Sequence, residues 1–201
     1  EIASSYVIEV DDMNSLDFAE GEEILEAHAY ISVKEALAGD ERPAWMTAMS
    51  KERLKLHAFG TWREMTADEK RMGKKAIPVV VILSKKRCGT FKARAVVLGN
   101  QVDRSEGLAV FAPVVSQAAN RYLLIDSTSK GDYLELFDLD NAFLNAFVDD
   151  TVFISIPDYL KEVDHESSIK VLVRALYGLP QAPRLWAKEY AKTLRKLHWV
   201  P

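Results

Sequence analysis

The residue whose setting first suggests chemistry is an aspartate at the end of a strand-forming run. Leu134-Glu135-Leu136-Phe137 leads into Asp138, and Leu139-Asp140-Asn141 follows directly. A carboxylate at a strand end can project into a site and ligate a hard cation through oxygen. It can as well cap a turn, and this segment alone leaves the two readings even. Lys92 and Arg94 stand two apart in Phe91-Lys92-Ala93-Arg94-Ala95-Val96. On a strand they share one face, which suits phosphate, although a solvated strand edge reads the same way. Gln181 and Arg184 add an amide and a guanidinium to a loop punctuated by Gly178, Pro180 and Pro183. Cys88 sits in Lys85-Lys86-Arg87-Cys88-Gly89 and reads as a surface turn residue. His28, His57, His165 and His198 have no metal-ligand spacing.

These residues need elements to hold them. Ile77-Pro78-Val79-Val80-Val81-Ile82-Leu83 is short and β-branched, so it is expected as a strand. A basic turn around Gly89 joins it to a second strand over 91–98, giving a hairpin with a charged tip. Trp45, Met49, Leu56 and either Ala48 or Glu52 fall on adjoining helical turns, and Pro43 suits the helix start. Gly60 breaks this helix, and 61–65 alternates like a strand. Helix is expected over 117–129 and 184–197, and strands over 134–138, 151–156 and 169–173. There is no internal repeat, and the mixture is α+β rather than regularly alternating βαβ.

The chain has 201 residues, 48% hydrophobic and 28% charged, enough for one or two domains. It opens on Glu1 rather than Met, so a piece of a longer protein is expected. No run reaches membrane-span length, and the lone cysteine excludes an internal disulfide. The net charge of −4 hides an asymmetry. Residues 1–42 carry 12 acidic and 2 basic side chains, and the remainder carries 18 and 24. An acidic leader, read as linker over 1–28, thus precedes a mildly basic body that can meet phosphates.

Five blocks, in order, resemble copia-type retrotransposon reverse transcriptases. Lys34-Glu35-Ala36-Leu37, Trp45, Ala48-Met49, Glu52 and Thr61-Trp62 match the opening of that family's domain. Lys92-Ala93-Arg94-Ala95-Val96-Val97 with Gly99 matches its "KARLV…G" block, and Phe111-Ala112-Pro113-Val114-Val115 with Arg121 its "FAPVV…R" block. Asp138 to Ala146 matches "DVxxAFLNG", and Leu176 to Arg184 with Trp186 matches "LYGLKQAPRxW". Pro180 stands for the usual Lys and Val110 for the usual Thr, and 79–83 lacks the family's Trp.

The resemblance implies an α+β fold: the fingers and incomplete palm of a right-hand polymerase, with an antiparallel palm sheet and packed helices. A partial reverse transcriptase domain would occupy 29–201, with fingers at about 43–130 and partial palm at about 131–201. Two-metal nucleotidyl transfer with Mg²⁺ or Mn²⁺ would be the chemistry of the intact parent. Asp138 would be the first catalytic aspartate and a metal ligand, helped by the Leu139 carbonyl. Backbone N–H groups of Asp140, Asn141, Ala142 and Phe143 would face the triphosphate. The Phe143 ring would sit under the sugar and exclude a 2′-hydroxyl. Lys92, Arg94 and Gln181 would bind the nucleotide and Arg184 the nucleic acid. A common cleft for these groups is expected.

The implied partners are RNA or DNA template-primer, deoxynucleoside triphosphates, and the remaining palm, thumb and ribonuclease H parts of a polyprotein. No membrane is among them; the location would be intracellular, in a cytoplasmic particle or the nucleus. Phe147-Val148-Asp149-Asp150 looks like the family's "YVDD" box but starts only 9 residues after Asp138. That box belongs well beyond the "QAPR" block, so Asp149 and Asp150 are read as surface turn residues. The fragment itself is therefore expected not to polymerise. Two rivals stand beside this reading. One is a catalytically dead nucleic-acid-binding remnant. The other is a haloacid-dehalogenase-type phosphatase using Asp138 as nucleophile and Asp140 as acid/base. That family's loop carries a Thr where this chain has Ala142, and it opens its domain, whereas 137 residues precede Asp138 here.

Overall fold

The computed structural model of the chain describes residues 3–7, 31–73, 75–102, 109–163 and 167–198. Two compact units emerge: Glu1–Ala27 with Pro113–Ala142, and His28–Ala112 with Phe143–Pro201.

The larger unit is built on a five-stranded sheet. Its strands are β2 (Trp62–Arg63), β3 (Ile77–Lys85), β4 (Phe91–Val97), β6 (Phe153–Ser155) and β7 (Ile169–Leu172), ordered β2-β7-β6-β3-β4. The β3–β4 hairpin follows directly from sequence. Ile77, Val79, Val81 and Leu83 are buried at alternate positions, as a pleated strand requires. Val81 lies opposite Ala95 and Leu83 opposite Ala93. The small β4 residues leave room for a helix, and α2 (Arg42–Ala58) packs there. It buries Trp45, Ala48, Met49, Glu52 and Leu56, so Ala48 and Glu52 both share the inner face. Trp45 meets Phe91 edge-on with ring centroids 4.6 Å apart. Full burial of side chains of this size stabilises by about 1.5–3 kcal/mol each.

Gly89 at φ 80 closes the hairpin, and its N–H donates to the Lys86 carbonyl at 2.8 Å. The sheet is antiparallel except where β6 runs parallel to β3, through Ile77–Ile154 and Pro78–Ser155. Pro78 has no N–H to donate and sits near the β3 start, where that loss costs least. Buried Thr61 ties helix to sheet: its hydroxyl donates to the Leu56 carbonyl at 2.7 Å, and its own carbonyl accepts from Val173 and Arg174. Two short helices, α1 (Val33–Ala38) and α3 (Ala67–Arg71), and the longer α5 (Ala182–Lys196) complete this unit.

In the smaller unit, β1 (Ala3–Val7) pairs antiparallel with β5 (Glu135–Leu139). The rest of the acidic leader, 8–28, lies outside the described residues. Helix α4 (Gln117–Lys130) is capped by the Ser116 hydroxyl, which accepts from Ala119 N–H at 3.1 Å. It stops at Gly131, which takes the left-handed φ of 68 that glycine tolerates. Among the described residues no helix is long and apolar enough to cross a membrane.

Candidate nucleotide site

Asp138 is the penultimate residue of β5, opposite Ser4 of β1, and its side chain is exposed. Leu139 ends the strand and Asp140 begins the turn. Asn141 takes φ 54, a left-handed conformation that Asn bears better than most residues, and a 3-10 turn over Ala142–Asn145 follows. A carboxylate and a backbone carbonyl are hard oxygen donors of the kind Mg²⁺ accepts. Among the described residues, however, no three His, Cys, Asp or Glu gather into a metal cluster. The donor chemistry fits one ligand position, and the set is too small to hold two cations. Among the described strands, β5 pairs only with antiparallel β1.

The cations lie in the larger unit. Lys92 is half-buried on β4 and Arg94 is exposed. Burial holds the Lys92 amine below the usual lysine range, and the charges of Arg94, Lys86 and Lys55 push it the same way; Glu52 partly offsets them. Crowded cations of this kind gain from an anion that neutralises them. The Arg94 guanidinium lies over the Tyr177 ring, 5.8 Å from its centroid. Tyr177 in turn meets Phe143 edge-on at 4.9 Å. Phe143 is half-buried and packs against the core of this unit.

The loop carrying Tyr177 is fixed on β4 by its backbone. Val97 N–H donates to the Tyr177 carbonyl at 2.8 Å, and Tyr177 bridges Val96 in parallel. Gly178 has φ 82, and a Cβ there would lie 2.1 Å from the Val97 carbonyl oxygen. Gly99 is equally confined, its absent Cβ 2.0 Å from the Gly178 oxygen.

Gln181 precedes the first residue of α5 without a side-chain capping bond, is 1% exposed, and its side-chain oxygen has no hydrogen-bond partner. An unpaired buried acceptor is uncommon and costly. Arg184 is engaged within the chain. Its Nη2 donates to both oxygens of Asp149, at 2.8 and 3.1 Å, and its Nε donates to the Ala109 carbonyl at 2.8 Å. Asp149 is thus the partner of Arg184 in a bend of the chain, and Asp150 is exposed. Asp138 to Ala142 belong to the smaller unit; Lys92, Arg94, Phe143, Gln181 and Arg184 belong to the larger. Within the larger unit Arg94 and Phe143 are linked through Tyr177, a residue that the sequence reading quoted in a family block without giving it a role. Its position inside the "LYGL" block was the available signal.

Residues 61–201 match the family described as reverse transcriptase (RNA-dependent DNA polymerase). The chain belongs to this family, as a portion of a copia-type reverse transcriptase domain. It is 28% identical over 167 residues to the retrovirus-related Pol polyprotein from transposon TNT 1-94 of Nicotiana tabacum, covering 79% of this chain and 12% of that protein. It is 32% identical over 111 residues to the corresponding polyprotein from transposon RE1 of Arabidopsis thaliana, covering 55% of this chain and 8% of that one. The chain therefore spans about an eighth or less of these relatives. No solved structure matches it. The packed helices and unclosed sheet are the fingers and partial palm of that family's α+β architecture.

Proposed function

We propose that this chain is the nucleotide-meeting front of an RNA-directed DNA polymerase, acting on template-primer and deoxynucleoside triphosphates within a longer polyprotein. One observation carries the reading: in a chain of this family, Lys92 and Arg94 stand two apart on β4, on the face opposite the buried Ala93 and Ala95. Lys92 and Arg94 meet phosphates, Phe143 meets the sugar, and Gln181 serves the same nucleotide. Arg184 reaches nucleic acid once Asp149 yields it. Asp138 and the Leu139 carbonyl supply part of the ligand set for Mg²⁺ or Mn²⁺, with the backbone N–H groups from Asp140 to Phe143 toward the triphosphate. Bound cations of this kind activate the attacking hydroxyl and neutralise the triphosphate. The remaining palm, the thumb and ribonuclease H are the partners in the chain. The work is intracellular, in a cytoplasmic particle or the nucleus.

The test is binding of a template-primer duplex to the purified chain across a salt series. Lys92→Ala with Arg94→Ala is expected to lower the slope of log K against log salt by about 1.5, since each phosphate contact contributes about 0.7–0.9. An unchanged slope returns both residues to a solvated strand edge. Retained binding with no metal-dependent chemistry in an extended parent protein would favour the inactive binding remnant.

A further inference from the structure

We infer that Tyr177 is a positioning residue, which sets the sugar-facing ring of Phe143 and the phosphate-facing guanidinium of Arg94 against each other; this rests on the nucleotide reading above. One aromatic ring touches both groups. Arg94 lies over its ring at 5.8 Å, and Phe143 meets it edge-on at 4.9 Å with 67° between planes. Both are attractive arrangements, positive charge over a π face and ring edge against ring. A ring that held only one of them would be ordinary packing. Holding both makes the distance from cation to gate ring a property of Tyr177.

The backbone beneath the ring is tied to β4. The Val97–Tyr177 hydrogen bond and the parallel bridge to Val96 fix Tyr177 on the strand that carries Arg94. Gly178 allows that approach, since any side chain there would strike the Val97 carbonyl. A nucleotide is a rigid-enough object that its sugar and phosphates must meet their partners together. Discrimination against a 2′-hydroxyl by steric exclusion is lost if the excluding ring can tilt away. Tyr177 therefore sets sugar selectivity without touching the sugar.

The experiment titrates deoxyguanosine triphosphate, guanosine triphosphate and inorganic tripolyphosphate, with Mg²⁺, against the purified 201-residue chain. Phe143→Ala, Tyr177→Phe and Tyr177→Leu are compared with the unaltered chain, with folding followed by circular dichroism. Tyr177→Leu is expected to lower the deoxy-over-ribo preference about tenfold, the scale of a small steric mismatch in a pocket. It should also weaken tripolyphosphate, which has no sugar, whereas Phe143→Ala should lower the preference alone. Tyr177→Phe keeps the ring and should behave as the unaltered chain. If Tyr177→Leu does not fold, Tyr177→Met takes its place. A preference that survives loss of the Tyr177 ring but falls in Phe143→Ala overturns the inference and leaves the nucleotide reading standing. A preference absent from the unaltered chain, or unmoved by Phe143→Ala, removes the sugar role of Phe143 and the inference with it.

Discussion

Glu52 shows how a single side chain can close an edge. It projects from α2 into the core, 5% exposed, and its Oε1 accepts Ala95 N–H of the edge strand β4 at 3.0 Å. Lys55, one turn on, pairs with the same carboxylate. Glu52→Leu keeps the bulk and removes the acceptor, leaving a buried donor unpaired at a cost of about 1–3 kcal/mol. Glu52→Gln retains an acceptor and should cost less; chemical denaturation midpoints of the two variants check the order. Gly178→Ala should be as damaging, by about 1–3 kcal/mol, because it demands a positive φ and a Cβ 2.1 Å from a carbonyl oxygen. Sequence reading recognised Gly178 only as a turn marker. Its contact with Val97, far back along the chain, is backbone against backbone and leaves no periodic trace. Glu52 was half legible: its place on the inner helical face could be counted, while its partner on β4 could not.

Elements were legible in proportion to how much apolar surface they bury. The β3–β4 hairpin and α2 follow periodicities of 2 and 3.6, and their ends fall within a few residues of expectation. Which strands would be neighbours was not legible, and the parallel β3–β6 contact rests on only two residue pairs. Helix α3 escaped because it buries nothing and has no periodicity to count. It is held by a capping box instead: Thr66 accepts Glu69 N–H and the Glu69 carboxylate accepts Thr66 N–H. The Thr66-x-x-Glu69 spacing was its readable signal. Arg63 adds two hydrogen bonds to Glu69, at 2.7 and 2.8 Å. The Arg63 bonds foremost, with the Thr66 N–H, hold the Glu69 carboxyl at about 2, down from an ordinary 4.5. A carboxyl whose folded pKa is depressed contributes stability above its unfolded value and loses it as pH falls toward the folded one. Amide protection across 67–72 should therefore be full above pH 4.5 and decline between there and about 2. Hydrogen exchange over that range checks it, and Glu69→Gln should abolish the dependence.

At the scale of the whole molecule, the two units differ in what they bury. The larger has a continuous apolar core from Trp45 through Leu83, Ile154 and Leu185. In the smaller, Tyr122, Leu123, Ile125 and Phe137 are exposed, and Tyr133 is 94% exposed. Exposed apolar groups of this kind mark surfaces meant for contact. The same unit carries Asp138, and among the described residues no cluster of metal-binding side chains forms around it. One carboxylate cannot position two cations. The 201-residue chain is therefore expected to show no template-dependent, Mg²⁺-dependent incorporation of deoxynucleotides. In a longer parent protein that shows incorporation, Asp138→Asn should abolish it. Incorporation by the 201-residue chain alone would move Asp149 and Asp150 from partners of a bend to candidate ligands. The bond from Asp149 to Arg184 would then have to open, so Arg184→Ala would raise activity rather than lower it.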